Sequence, residues 1–237
     1  MSANPNIAKV AALIGDTSRV AMLVSLLGGK AMPASELART ARISPQTAST
    51  HLAKMVEGGL LVHETYGRHK YFRLASSEVG HALEALQAIA PVKPVKSLRE
   101  SEQMNALHFA RTCYDHLAGK IGVALTDRLL ELGLIEESGK DYVLREAGKK
   151  RLQDFGVDVE QNPKSRRFFA RKCLDWSERR HHLAGSLGAA LTRRLFELGW
   201  IEHFPDGRAV RLTDAGIKGL FDEFGVCLQD EVVQKQS

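Results

Sequence analysis

Cysteine is scarce, with 3 residues in a chain of 237. That is too few for the disulfide framework of a secreted scaffold. Met1-Ser2-Ala3-Asn4-Pro5-Asn6 lacks a basic segment followed by an apolar one, so it does not read as a secretory leader. No apolar run approaches membrane-spanning length. A cytoplasmic protein with no membrane partner is expected. The common signatures of catalysis are missing as well: there is no glycine-rich phosphate loop, nucleophile elbow or His-Glu-x-x-His. No catalytic residue and no required cofactor is therefore assigned. Charge of one sign is not abundant either. The formal net charge is +5, with 10 Lys and Arg against 6 Asp and Glu in residues 1–95, and 23 against 22 in the rest. This modest excess on the N-terminal part suits a nucleic-acid partner without demanding one. The 44% hydrophobic and 26% charged content suits one or two ordinary domains with a sizeable core.

What is present centres on one stretch, Ser44 to Gly59. Ser44 suits an N-cap and Pro45 the first helical position, where a missing N–H costs nothing. Gly58-Gly59 suits a helix exit. Ala48, Leu52, Met55 and Val56 form one apolar stripe. The other faces carry Gln46, Thr47, Ser49, Thr50, His51 and Lys54, with Glu57 as the single acid. Amides and hydroxyls without acids suit a major groove, where base edges are read and phosphates repel carboxylates. The alternative is an ordinary polar surface helix.

The flanking residues favour DNA. Ala34 to Arg42 reads as a short helix with Leu37, Ala38 and Ala41 inward, and a turn at Ile43 leads into Ser44, which is a helix-turn-helix. Leu60–Tyr66 and Tyr71–Leu74 read as strands around a cationic turn, Gly67-Arg68-His69-Lys70. Such a hairpin after a recognition helix is a wing placed to touch phosphate. Upstream, Ile7–Ile14 reads as a helix with Ile7, Val10, Ala11 and Ile14 on one face. Asp16 caps a second helix running to about Leu27, with Val20, Leu23, Val24 and Leu27 inward. After the wing, Glu78 to about Ala90 is helical with Val79, Leu83, Leu86 and Ile89 as its apolar edge, either packed within the chain or pairing with a second copy.

These residues resemble the ArsR family of winged-helix bacterial transcriptional regulators. The resemblance is carried by Leu13-Ile14-Gly15-Asp16-Thr17-Ser18-Arg19-Val20, Glu36-Leu37-Ala38, Ile43 to Leu52, Gly59-Leu60-Leu61 and the Gly67-Arg68 to Tyr71 wing, over about residues 7–90. It implies a homodimer bound to double-stranded DNA at an inverted-repeat operator, usually as a repressor released by an effector. Expected DNA contacts are Ser44, Pro45, Gln46, Thr47, Ser49, Thr50, His51 and Lys54, with Arg68, His69 and Lys70 from the wing. Metal sensors of this family often carry Glu-Leu-Cys-x-Cys before the recognition helix. Here that position reads Glu36-Leu37-Ala38-Arg39-Thr40, without a thiol. The other familiar arrangement, along the dimer helix, finds His81 and Glu84 but lacks its second His.

The domain reading is residues 1–90 for DNA binding and dimerisation, a Pro- and Lys-rich linker at 91–99, a C-terminal domain at 100–230 and a disordered tail at 231–237. The C-terminal part repeats itself at about 104–160 and 164–228. Ala110-Arg111-Thr112-Cys113-Tyr114-Asp115 matches Ala170-Arg171-Lys172-Cys173-Leu174-Asp175, and His116-Leu117-Ala118-Gly119 matches His182-Leu183-Ala184-Gly185. Ala124-Leu125-Thr126 matches Ala190-Leu191-Thr192, and further blocks follow in the same order. This is an internal duplication. The fold class is thus mainly α with small β-wings (α+β): an N-terminal winged helix-turn-helix plus a tandem of winged-helix-like repeats. A cleft between the repeats is a natural effector or partner site. Candidate effector residues are Cys113, Tyr114, Asp115, His116, Cys173, Asp175, Trp176 and His182. Cys113 and His116 would share the face of a helix as an i, i+3 pair. A metal ion, thiol redox chemistry and a small organic molecule all stay open. The unequal Cys-to-His spacing of the two copies argues against superimposable ligand sets. A second function is a ligand-independent DNA binder whose C-terminal half docks a protein, and a remote third is an enzyme using Cys113 as nucleophile and His116 as base.

Overall fold

The computed structural model describes residues 5–91, 97–160, 167–205 and 207–227. Most of the expected linker and all of the expected tail at 231–237 lie outside them. The chain forms two compact units, Met1–Glu84 and Ala85–Ser237. Among the described residues no single helix is long and apolar enough to cross a membrane.

In the first unit, α1 (Ile7–Ile14) and α2 (Thr17–Ser25) meet at Asp16, whose carboxylate accepts the Arg19 amide at 2.9 Å. Arg19 in turn donates to the carbonyls of Leu13 and Ala12 at 2.6 and 2.9 Å, satisfying the otherwise orphaned end of α1. A 3-10 turn, Leu26–Gly28, follows. The buried side of this segment is Met22, Leu23, Leu26 and Leu27; Val20 and Val24, expected inward, are half-buried. On the expected apolar face of α1 no side chain is fully buried: Ile14 is half-buried and Ile7 is 76% exposed. Then come β1 (Met32–Pro33), α3 (Ala34–Ala41) and α4 (Pro45–Glu57). Arg42 leaves α3 in the left-handed conformation (φ 54°), which turns the chain into Ser44. Strands β2 (Leu61–Tyr66) and β3 (His69–Leu74) make the wing, and β1 adds to β3 by pairing Met32 with Phe72. The wing turn is only Gly67-Arg68. His69 and Lys70, expected in that turn, instead pair with Tyr66 and Thr65 on the strands. The helix α5 (Ser77–Ile89) crosses from the first unit into the second.

The second unit begins, after that helix, with α6 (Leu98–Phe109). Two runs of the same element order follow. The first is β4 (Arg111–Cys113), β5 (His116–Ala118), α7 (Gly119–Glu131), β6 (Ile135–Ser138), β7 (Asp141–Leu144) and α8 (Glu146–Asp154). The second is β8 (Arg171–Leu174), β9 (His181–Ala184), α9 (Gly185–Glu197), β10 (Ile201–His203), β11 (Val210–Leu212) and α10 (Asp214–Phe224). Neither run closes on itself as the separate winged-helix-like units expected from the sequence would. The hairpin β8–β9 extends the β6–β7 hairpin of the other run into a four-stranded sheet, through Asp141 opposite Arg171. Reciprocally, Arg111 bridges Ala209 beside β11. The stripe Leu117, Ile121, Leu125 and Leu129 packs in one core with its counterpart Leu183, Leu187, Leu191 and Leu195.

Buried polar groups repeat the exchange. The Thr192 hydroxyl on α9 accepts the Leu117 amide at 2.8 Å, and the Thr126 hydroxyl on α7 accepts the Leu183 amide at 2.9 Å. The guanidinium groups of Arg128 and Arg194 cross the other way, onto the carbonyls of Phe224 and Phe155 at 3.0 and 2.9 Å. Each helix therefore holds the first hairpin of the other run. Close approach is required as well: a Cβ on Gly122 would sit 2.5 Å from the Leu117 carbonyl oxygen, and one on Gly188 2.3 Å from that of Leu183. Replacing Thr126 or Thr192 with isosteric Val leaves a buried amide unsatisfied. Each should lower unfolding free energy by about 1–3 kcal/mol in urea titrations of the full chain, and an unchanged midpoint would show that the amide finds another acceptor.

Candidate DNA-binding surface and effector site

The capped start of α4 is built as its sequence dictates. The Ser44 hydroxyl accepts the Thr47 amide at 3.1 Å with Pro45 in the first turn, and Ala48, Leu52 and Met55 are buried. Pro45, Gln46, Thr47, Ser49, Thr50 and Lys54 stand exposed together, and Arg68, His69 and Lys70 are exposed on the wing. The hydroxyls of Ser49 and Thr50 donate back to the carbonyls of Pro45 and Gln46 at 2.9 and 3.2 Å, so they must rotate before donating to a phosphate. His51, expected among the DNA contacts, is placed differently. Its ring is 16% exposed, with Nδ1 3.2 Å from Arg19 and Nε2 4.0 Å from Asp16, which ties α4 to α2.

In the second unit the expected helix bearing Cys113 and His116 is a hairpin. Cys113 lies opposite His116 across β4–β5, and Cys173 lies opposite His182 across β8–β9. A cross-strand pair keeps its geometry whatever the length of the loop beyond it. The unequal spacing of the two copies thus disappears in three dimensions, and the ligand sets do superimpose in register. The shorter loop is tight: Tyr114 has φ 60°, at the first position of a two-residue turn that ordinarily takes glycine.

The two hairpins bring Cys113, His116, Cys173 and His182 together, with one donor atom of each within 4.8 Å of all the others. The Sγ atoms are 3.8 Å apart and the Nε2 atoms 3.1 Å. Cys113, His116 and His182 are buried and Cys173 is half-buried. Behind each imidazole stands a carboxylate. Asp115 Oδ1 is 3.5 Å from His116 Nδ1, and Asp175 Oδ2 is 3.3 Å from His182 Nδ1, an ion-pair distance with poor hydrogen-bond alignment. Each carboxylate has its own guanidinium: Arg167 reaches Asp115 at 2.7 Å and Arg111 reaches Asp175 at 2.8 Å, the latter pair fully buried. Asp175 also accepts the amides of Ser177 and Gly119, at 2.9 and 2.7 Å.

The electrostatics follow from this packing. Burial alone would raise the Asp175 carboxyl, but His182 and Arg111 outweigh it and hold the group far below the usual carboxylate range. Burial disfavours the charged His182 ring, yet Asp175 and Cys173 push it up to about 9. The Cys173 thiol is lowered chiefly by its contact with Cys113, against burial and with help from both imidazoles.

The remaining expected residues lie outside this cluster. Trp176 lies under the Arg111 guanidinium (4.3 Å to the ring centre) and meets the His108 ring edge-on, 5.0 Å between ring centres. Among the described residues, the helices of the two runs pack together where a cleft was expected. The cavity lined by Leu117, Gly122, Leu125, Thr126, Leu183 and Gly188 measures about 10 Å³, the room of one water and not of a metabolite. Reading the sequence passed over Arg111, Arg167, Thr126 and Thr192. Thr126 and Thr192 were visible as a polar residue repeated on an apolar helix face.

A capped polar helix, its preceding short helix and a basic wing define a winged helix-turn-helix DNA-binding protein. Residues 16–64 match the family described as "Helix-turn-helix domain". Over 213 residues, 90% of this chain and 94% of the relative, the sequence is 48% identical to the uncharacterized HTH-type transcriptional regulator YdfF of Bacillus subtilis (strain 168). Among solved structures, the homodimeric winged helix-turn-helix domain Mb0332 of Mycobacterium bovis is 22% identical with a TM-score of 0.33, covering 38% of this chain and 89% of that one. NolR of Sinorhizobium fredii is 22% identical with a TM-score of 0.34, covering 39% and 100%. The chain belongs to the HTH-type transcriptional regulators.

Asp175→Asn leaves Arg111 charged and unpaired in the interior. It should cost about 3–5 kcal/mol of stability, read by thermal or urea unfolding. A loss below about 1 kcal/mol would mean that the pair is solvated in solution.

Proposed function

We propose that the protein is a homodimeric repressor that binds an inverted-repeat operator and leaves it when the C-terminal half senses an effector. The observation that carries the DNA reading is the exposed face of α4, with Gln46, Thr47, Ser49, Thr50 and Lys54 beside a wing bearing Arg68, His69 and Lys70. Gln46 and Thr47, nearest the helix start, read base edges. Ser44, Pro45, Ser49, Thr50 and Lys54 border them against phosphate, and the wing cations grip the backbone. His51 supports the helix from behind. Dimerisation is supported by apolar side chains left unpacked on two helices: Ile7 on α1 and, on α5, Leu86 and Ile89, the last 80% exposed. Sensing is supported by the convergence of four chemically active side chains on one buried point of the second unit, a costly arrangement for packing alone.

Two recognition helices related by a twofold should read half-sites about 10 bp apart, centre to centre. Footprinting on the protein's own promoter should therefore show a dyad, and sedimentation should show a dimer. Protection without a dyad contradicts the reading. Gln46→Ala should cost about 1–3 kcal/mol at one or two base pairs. Arg68→Ala should weaken all sequences alike and flatten the salt dependence. Identical behaviour of the two variants would contradict the division of roles.

A further inference from the structure

We infer that the second unit binds one divalent ion of the zinc class through Cys113 Sγ, Cys173 Sγ, His116 Nε2 and His182 Nε2. Identifying that ion as the effector rests on the sensing reading above; the site itself does not.

The sulfur–sulfur and nitrogen–nitrogen separations are close to those of an ion's coordination shell, and all four donors lie within 4.8 Å of one another. A tetrahedral centre with metal–sulfur bonds of about 2.3 Å and metal–nitrogen bonds of about 2.0–2.1 Å sets its sulfurs about 3.8 Å apart and its nitrogens about 3.3 Å apart. The observed separations are 3.8 Å and 3.1 Å. A disulfide instead needs the sulfurs at about 2.05 Å, and would leave the paired imidazoles without a task.

The ring orientations agree. Both histidines turn Nε2 toward the centre and Nδ1 toward a carboxylate, Asp115 or Asp175. With the proton on Nδ1, each Nε2 presents a lone pair inward, which is the carboxylate–histidine–metal arrangement of metalloproteins. The charges also close. Two thiolates balance a divalent ion, and each carboxylate is balanced by its guanidinium, Arg167 for Asp115 and Arg111 for Asp175. Two sulfur and two nitrogen donors, with no oxygen among the four, select a zinc-like ion over magnesium or calcium. Four protein ligands make a closed site, suited to holding an ion and not to activating a water.

The site is also mechanically connected. Each run supplies one Cys and one His, so the ion ties the two runs together. Arg179, in the loop that begins at Asp175, donates to the Ala88 carbonyl of α5 at 2.6 Å, and Arg208 reaches Gln87 at 2.8 Å.

The test uses the reduced, metal-free full-length chain and Co²⁺ as a spectroscopic probe, with Zn²⁺ as competitor. One Co²⁺ per chain should bind with a thiolate-to-cobalt charge-transfer band and tetrahedral d–d bands, and Zn²⁺ should abolish both. Cys113→Ser and Cys173→Ser should lose the charge-transfer pattern of the pair, whereas Cys227→Ser should keep it. Asp115→Asn should weaken binding about 10–100-fold without changing the band shape. Circular dichroism and metal-free operator binding check that each variant folds. The proposal is overturned if wild type gives no thiolate band, if Cys113→Ser keeps the wild-type spectrum, or if the reduced chain ignores both metals and simply forms a Cys113–Cys173 disulfide in air. Operator affinity is measured on the same samples. Cobalt bound with unchanged operator affinity upholds the site and rejects the effector role; operator release by metal in a variant that binds none rejects the site and keeps sensing.

Discussion

The second unit depends on an exchange of buried hydrogen bonds between its two runs. Thr192 on one helix fixes the amide next to His116, and Thr126 on the other fixes the amide next to His182. Neither histidine strand is held by its own helix alone. The pairing therefore sets the distance between the hairpins, and that distance sets the 3.1 Å between the imidazole nitrogens. Gly122 and Gly188 let each helix start close against the Leu117 or Leu183 carbonyl of its own run, and a Cβ on Gly188 would also lie 3.3 Å from the His116 Cβ of the other run. Packing, polar satisfaction and site geometry are thus one constraint. The site cannot form in half of the unit, because each half provides only two donors.

The carboxylate–guanidinium pairs extend the same logic outward. A buried ion pair is a poor source of net stability, since desolvation offsets most of its attraction. Asp175 and Arg111 are both fully buried, and the Asp175 carboxylate also organises the loop through Ser177 and Glu178. Such a pair is better explained by what it orients. It presents one carboxylate oxygen toward the His182 ring while neutralising the charge that this requires.

The sequence was most legible where local chemistry decides the structure. The bounds of α4 followed from Ser44, Pro45 and the two glycines, and the wing followed from alternating strands around Gly67. The strand β1 escaped notice because two residues ending in proline carry no periodicity and owe their state to pairing with β3. The wing turn was read two residues too long, since nothing in His69-Lys70 distinguishes strand from turn until its partners are known. In the second unit the structure brings Cys113, His116, Cys173 and His182 together, but not by the geometry expected from the sequence. Cys113 and His116 three apart suggested a helix face, but Arg111 to Cys113 is a strand because it pairs with β5 and bridges Ala209. The unequal Cys-to-His spacing looked like evidence against a shared site. A cross-strand register is blind to loop length, so six extra residues change the loop and leave the donors in place. Arg167 could not have been found from the sequence, because its role arises only when the second run folds against the first.

The claim at the centre of this account is that two hairpins from interleaved runs deliver two sulfurs and two nitrogens to one point. X-ray absorption at the zinc K-edge on the zinc-loaded full-length chain reads that directly. The account expects a first shell of two sulfurs at about 2.3 Å and two imidazole nitrogens at about 2.0–2.1 Å, with the outer-shell scattering of histidine rings. A shell of nitrogen and oxygen alone, or of a single sulfur, would contradict it.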